Sequence, residues 1–297
     1  MHKMLCAVTA FALAAGAMTT STTGAQARQQ LRPARAAAPA TSVTVSGDGT
    51  HVRVSRTSVD AGYISFRVRA SNATVDSDIV LFRPKAHATV ATVLKGFKEE
   101  FSTNPKVSAK GTRDLTRDAS FSGLALVGTK SPVTVTQYLK AGGYYLIDLG
   151  SYPGLPLHPT RLTVRSAGAT HHRPPAYSAT VRLTSSDRFV TPGTLAAKGT
   201  VRVRNTSDTL HFMALMRVKK GTTDAQVQKY FASGAQGPPP FAEKGPGVGM
   251  GVQSPGRQAR LTYDVPAGTY VMLCFVGDDK TGMPHAFMGM HHVVTLK

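Results

Sequence analysis

The feature that most narrows what this chain can fold into is an internal repeat. Arg83 to Phe97 (RPKAHATVATVLKGF) sets without gaps on Arg217 to Phe231 (RVKKGTTDAQVQKYF), with Arg, Lys, Thr, Ala, Val, Lys and Phe coinciding. Upstream, Arg67-Val68-Arg69 matches Arg202-Val203-Arg204. Downstream, Ala141-Gly142-Gly143-Tyr144 matches Ala267-Gly268-Thr269-Tyr270, and Gly154-Leu155-Pro156 matches Gly282-Met283-Pro284. Blocks recurring in one order mean two copies of one supersecondary unit, each about 120 residues long.

Each copy is written mainly in a period of two. Ser42 to Ser46 and His51 to Ser55 flank Gly47-Asp48-Gly49 as a hairpin, and Tyr63 to Arg69 continues the alternation. Further strands are expected at Asp78–Phe82, Leu124–Val127, Val133–Val135, Tyr144–Ile147 and Leu162–Val164, then again from Ala179, Gly199 and His211. Thr89–Phe101 carries Val90, Val93, Leu94, Phe97 and Phe101 near helical spacing, and Thr223–Phe231 is its counterpart. Short alternating strands separated by Gly and Pro turns predict an all-β fold: two tandem Greek-key β-sandwich domains, each with one inserted helix. The Gly/Pro stretch from Gly234 to Gly251 reads as a surface loop.

The N-terminus predicts export. His2 and Lys3 precede an apolar run from Met4 to Met18, and Ala25-Gln26-Ala27 is an A-x-A cleavage pattern. Residues 1–27 are therefore expected to be a signal peptide and 28–41 a flexible basic linker. The first domain is placed at 42–168, a linker containing His171 and His172 at 169–177, and the second domain at 178–297. Secretion into the extracellular space or cell envelope follows, with no transmembrane anchor, because no later run is long and apolar enough to span a bilayer. Beyond the signal only Cys274 remains, so a disulfide framework is excluded and one thiol is left for burial, intermolecular pairing or a metal.

Charge speaks to partners. The chain has 35 Lys and Arg against 16 Asp and Glu, a formal net charge of +19. Such a surface attracts anionic cell-envelope polymers or lipid headgroups. Nucleic acid is not expected: the basic residues are scattered along strands, Trp is absent, and no nucleic-acid motif occurs.

Soft metal ligands gather near the C-terminus. Ala267 to Lys297 holds Cys274, three histidines and four methionines, and thiolate, imidazole and thioether together favour a soft transition metal. Counting from Asn72 and Asn205 sets His211 on Asp78. The Ala-Gly-x-Tyr blocks set Cys274 on Asp148, and the Gly-x-Pro blocks set His285 on Leu157. The ligand set is thus confined to the second copy. Buried inert packing is the alternative for each residue: Cys274 as a core thiol, His211 as a satisfied core histidine, His285 as a loop hydrogen bonder and Met290 as core.

A strand bearing His211, then a late loop carrying Cys274, His285 and Met290 between apolar runs, resembles the cupredoxins, the plastocyanin and azurin superfamily. The resemblance implies His211, Cys274 and His285 as copper ligands with Met290 axial and Met288 as a second candidate. It also implies a familiar Asn, here Asn205, ahead of the first ligand. Phe275, Phe287 and Met288 would keep water off the metal. The sequence departs from the family pattern in the ten residues between Cys274 and His285. GDDKTG within them reads as a protruding hairpin that has to fold back if both ligands are to share one ion.

Two functions follow from different classes. One is a secreted copper protein for electron transfer or copper handling, with an unknown redox partner. The other is a metal-free binding module attaching to anionic envelope polymers or a protein. Enzymatic activity is not expected: His-x-His pairs, Gly-x-Ser-x-Gly and His-Glu-x-x-His are all missing.

Overall fold

Apolar and polar alternation becomes two layers of strands because it gives every strand one face to bury. The computed structural model describes residues 40–166, 173–234 and 237–297. The signal segment, the basic linker up to residue 39 and His171-His172 lie outside the described residues. One layer is an eight-stranded sheet and the other an eleven-stranded sheet. Inward residues of both, such as Val45, Phe66 and Val135 from the first and Ile79, Leu81 and Leu146 from the second, share one buried core. Full burial of side chains of this kind contributes roughly 1.5–3 kcal/mol each.

The repeat is visible strand by strand. In the first half Thr41–Gly47 runs parallel to Gly62–Ala70, pairing Val45 with Val68. In the second Ala179–Thr184 runs parallel to Lys198–Asn205, pairing Val181 with Val203. The Ser65–Thr136 hydroxyl pair at 2.7 Å is repeated by Thr200–Thr262, also at 2.7 Å. Tyr144 donates its hydroxyl to the Lys140 carbonyl and Tyr270 to the Pro266 carbonyl.

Both sheets run through both halves. Val133–Leu139 of the first half pairs with Gln258–Asp264 of the second, setting Val135 against Leu261. Ala125–Val127 pairs with Val248–Gln253, setting Leu126 against Gly249. The second pairing corrects the expectation of a surface loop through Gly251. Val248–Gln253 is a wholly buried strand. Its glycines are there for closeness: a Cβ on Gly249 would collide with the Met213 carbonyl, and one on Gly251 would lie 2.9 Å from the Leu124 amide.

Among the described residues three helices cross the connections. α1 (Val90–Glu100) is capped by Thr89, which accepts from the Thr92 amide at 3.1 Å. α3 (Asp224–Ala232) begins with a capping box between Thr223 and Gln226. Between them the first half adds α2 (Pro105–Asp118), which the apolar period does not announce. Asn104 caps it and Pro105 occupies its first turn. Its buried face is Ser108, Ala109, Gly111, Thr112 and Leu115, small and polar because α1 lies so close. A Cβ on Gly111 would strike the backbone of Glu100.

Candidate metal centre

Three side chains from distant parts of the second half meet at one buried point. His211 opens the strand His211–Val218, and Cys274 follows the strand Gly268–Leu273. These strands pair, with Ala214 opposite Leu273. The turn before His211 is tied down by Asn205, whose amide donates to the carbonyls of Thr209 and Gln253, both at 2.8 Å. That is the Asn the family resemblance singled out.

The long Cys-to-His segment folds back. Gly277 and Pro284 form a β-bridge, and the Asp278 carboxylate caps the tip by accepting from the amides of Lys280 and Thr281. Chain closure continues through His285 N–H to the Val276 carbonyl at 3.0 Å and Ala286 N–H to the Cys274 carbonyl at 2.7 Å. The excursion docks on the first half's helices. Gly277 N–H donates to Glu100 at 3.0 Å, Ser108 donates to the Gly282 carbonyl at 3.3 Å, and Arg113 donates to the Asp279 carbonyl. His285 thus returns beside Cys274 despite the ten intervening residues.

The geometry is that of a donor triangle. His211 Nδ1 and His285 Nδ1 are 3.1 Å apart, and Cys274 Sγ is 3.7 Å from each. All three residues are 0% exposed. A point equidistant from three atoms so spaced lies about 2.0 Å from each, the length of a metal–imidazole bond. Within the protein alone, two ring nitrogens facing each other can share at most one proton, and the Cys274 sulfur lies 3.7 Å from both. The residues fit a metal ion better than they fit one another. Met290 is also wholly buried, and its N–H donates to the His285 carbonyl at 2.8 Å. Met288 is turned outward at 37% exposure, where its sulfur accepts from Thr281 Oγ1.

Electrostatics keep the imidazoles neutral, which is the ligating form. Burial pushes His211 down to about 3, with the neighbouring His285 adding to the shift. Burial also lowers His285, opposed by the charge of Asp187. Burial pushes the Cys274 thiol up to about 12, against stabilising amide donors from Phe212 and Val276. A thiolate here therefore needs a cation beside it.

Sequence reasoning missed Asp187. It lies in the turn between Ala179–Thr184 and Arg188–Val190 with φ +52, a left-handed conformation that Asp tolerates. Its Oδ1 is 3.7 Å from His211 Nε2 and 3.9 Å from His285 Nε2. Nothing in the turn sequence Ser185-Ser186-Asp187-Arg188 marks it, because only the fold brings that hairpin over the two rings. Of the apolar residues expected over the site, Phe275 and Met288 are turned to solvent at 41% and 37% exposure, while Phe287 is partly buried. Leu210, Val276 and Ala286, within two residues of the ligands along the chain, are buried.

The first half shows what the same corner becomes without ligands. Ile79 stands opposite Asp148, and in the second half the ladder ends with Ala214 opposite Leu273, one residue before Cys274. The Asp78 amide donates to Asp148 at 3.0 Å, as the Phe212 amide donates to Cys274 Sγ at 3.5 Å. Asp148 is confirmed as the counterpart of Cys274, but the counterpart of His211 is Ser77, one residue before Asp78. The second half has one more residue between its Asn and this position, which shifted the count. Asp148 spends its carboxylate on the amides of Gly49, Asp78 and Gly150.

No family model matches the chain, and no curated protein matches it. Among solved structures, a dithionite-reduced auracyanin from Roseiflexus castenholzii is 17% identical, over 41% of this chain and 99% of its own, with a TM-score of 0.25. Auracyanin A, a blue copper protein from Chloroflexus aurantiacus, is 14% identical, over 40% and 98%, at 0.24. A copper-containing nitrite reductase from Thermus scotoductus SA-01 is 13% identical, over 87% and 68%, at 0.22. At such scores the likenesses add no weight to what the sheets and the donor cluster establish by themselves. The chain is a tandem of two related β-halves sharing two sheets, and among the described residues one buried His₂Cys cluster, a candidate metal site, lies in the second half.

Proposed function

We propose that this is a secreted copper protein of the electron-transfer or copper-handling kind, with His211, Cys274 and His285 as ligands and Met290 as the axial thioether. The observation that carries the reading is the buried donor triangle with sides of 3.1, 3.7 and 3.7 Å. A His₂Cys set with a weak axial Met is the donor set of one-electron copper centres, and bound copper would supply the Cu(I)/Cu(II) couple. The protein's own part is rigidity. Both rings and the sulfur are fixed by paired strands and a hydrogen-bonded turn, so the donors have little freedom to rearrange between oxidation states. Two amides aimed at Sγ stabilise a thiolate and would tune the potential.

The test is to load the full chain with Cu(II) and record its visible absorption. An intense thiolate-to-copper band, lost in Cys274→Ala, is expected. Copper binding no tighter in wild type than in Cys274→Ala would end the proposal.

A second reading rests on the +19 net charge: a metal-free binding module whose basic surface attaches it to anionic envelope polymers or to a protein partner. Retention on isolated cell walls should then fall steeply with added salt and ignore chelators. Export, by way of the N-terminal 27 residues, belongs to both readings. Among the described residues no helix is long and apolar enough to cross a membrane.

A further inference from the structure

A second site adjoins the metal corner. A cavity of ≈ 720 Å³ lies between α1–α2 of the first half and the Cys-to-His excursion of the second. Phe97, Phe101, Phe121, Phe212 and Phe275 put five aromatic rings on its wall. Phe101, Phe275 and Met283 are also among the few large apolar side chains exposed to solvent, so they mark its mouth. Pockets of this size and apolarity hold small organic ligands.

Two carboxyls face this apolar space: Asp78 and Glu100. Asp78 Oδ1 is out of reach of solvent and has no hydrogen-bond partner. Glu100 takes one amide, from Gly277. In a chain with 35 cationic side chains against 16 acidic ones, neither carboxyl has an ion-pair partner among the described residues; the adjacent Glu99 takes Lys95 and Lys110 instead. Burial, then the charge of Asp148 and after it that of Glu100, pushes Asp78 up to about 7, and burial pushes Glu100 up to about 7. A buried carboxylate without a partner is costly, and here two share one cavity.

We infer that this cavity is a binding site for an organic cation with an apolar body, such as a hydrophobic amine or ammonium compound. The ammonium group would pair with the two carboxyls that line the cavity, those of Asp78 and Glu100. The aromatic walls would take the apolar body and add cation–π attraction. A neutral ligand of the same shape would fill the cavity but leave the carboxyls as they are. The inference does not depend on copper, since no ligand of the metal corner contributes a polar group to the cavity.

The experiment is calorimetric titration of the full chain with naphthylmethylamine and with its uncharged counterpart naphthylmethanol. The amine should bind at least about tenfold more tightly, as expected of a hydrogen bond to a charged group. In the double variant Asp78→Asn/Glu100→Gln, checked as folded by its circular dichroism, the amine should fall to within about threefold of the alcohol. Equal binding of amine and alcohol by the wild type overturns the inference without any variant. So does failure of both to bind, or an amine preference that survives the double substitution.

Discussion

Glu100→Gln should make the protein more stable at pH 8 and leave it unchanged at pH 4. Glu100 sits at the C-terminal end of α1, packed against α2 and the Cys-to-His excursion. Burial raises its carboxyl from an ordinary 4.5 to about 7. The sign follows from which state holds the proton. Between pH 4.5 and 7 the native state keeps a proton that the unfolded state has released, so stability falls as pH rises through that window. Below it both states are protonated and the term vanishes. At about 1.36 kcal/mol per pH unit, the interval is worth at most about 3 kcal/mol. Glu100 is partly exposed, and solvent screening reduces that to about 1–2 kcal/mol. Glutamine keeps a carbonyl for the Gly277 amide and never ionises, so it recovers this amount above pH 7. For a chain of this size the thermal midpoint should rise by roughly 2–4 °C. Thermal or urea unfolding of both proteins at pH 4 and pH 8 reads the difference directly. A stability gap of equal size at both values would refute the reasoning, as would a less stable variant at pH 8.

Other expectations follow from single contacts. Asp187→Asn removes the charge facing both imidazole Nε2 atoms, and copper affinity measured against a competing chelator should fall about 10–100-fold. Gly249→Ala drives a methyl into the Met213 carbonyl, and its urea midpoint should report a loss of about 1–3 kcal/mol. Asp224 is held well below the usual carboxylate range: burial pushes it up, but hydrogen bonds from His291, His292 and the Val293 amide outweigh burial. That stabilisation is present above pH 4 and fades as pH falls through the lowered value, so Asp224→Asn should destabilise at pH 6 and progressively less in acid unfolding.

Much of this molecule is local and therefore legible. The period of two along Tyr63–Arg69, the helical spacing from Val90 to Phe101 and the recurrence of Arg83–Phe97 at Arg217–Phe231 describe each half before any coordinate is known. So does the confinement of Cys274, His285 and Met290 to one C-terminal stretch. These are properties of neighbouring residues, and neighbours dictate strand, helix and turn. Export and the role of the basic surface were likewise read from residues 1–27 and from the net charge alone, and rest on them still.

What chain order could not decide was distance. Whether ten residues after Cys274 return His285 to it depended on a bridge between Gly277 and Pro284 and on docking against α1 and α2, whose residues lie more than 150 positions away. Ser77 displaced Asp78 as the partner of His211 because strand register, unlike counting, is set by cross-strand hydrogen bonds. Asp187 and the carboxyls of Asp78 and Glu100 have no special sequence context at all. They matter because the sheets, running unbroken through both halves, carry one over two histidines and close the others into an apolar cavity. Local patterning determined what each half would be. Only the packing of the halves against each other decided which side chains would meet.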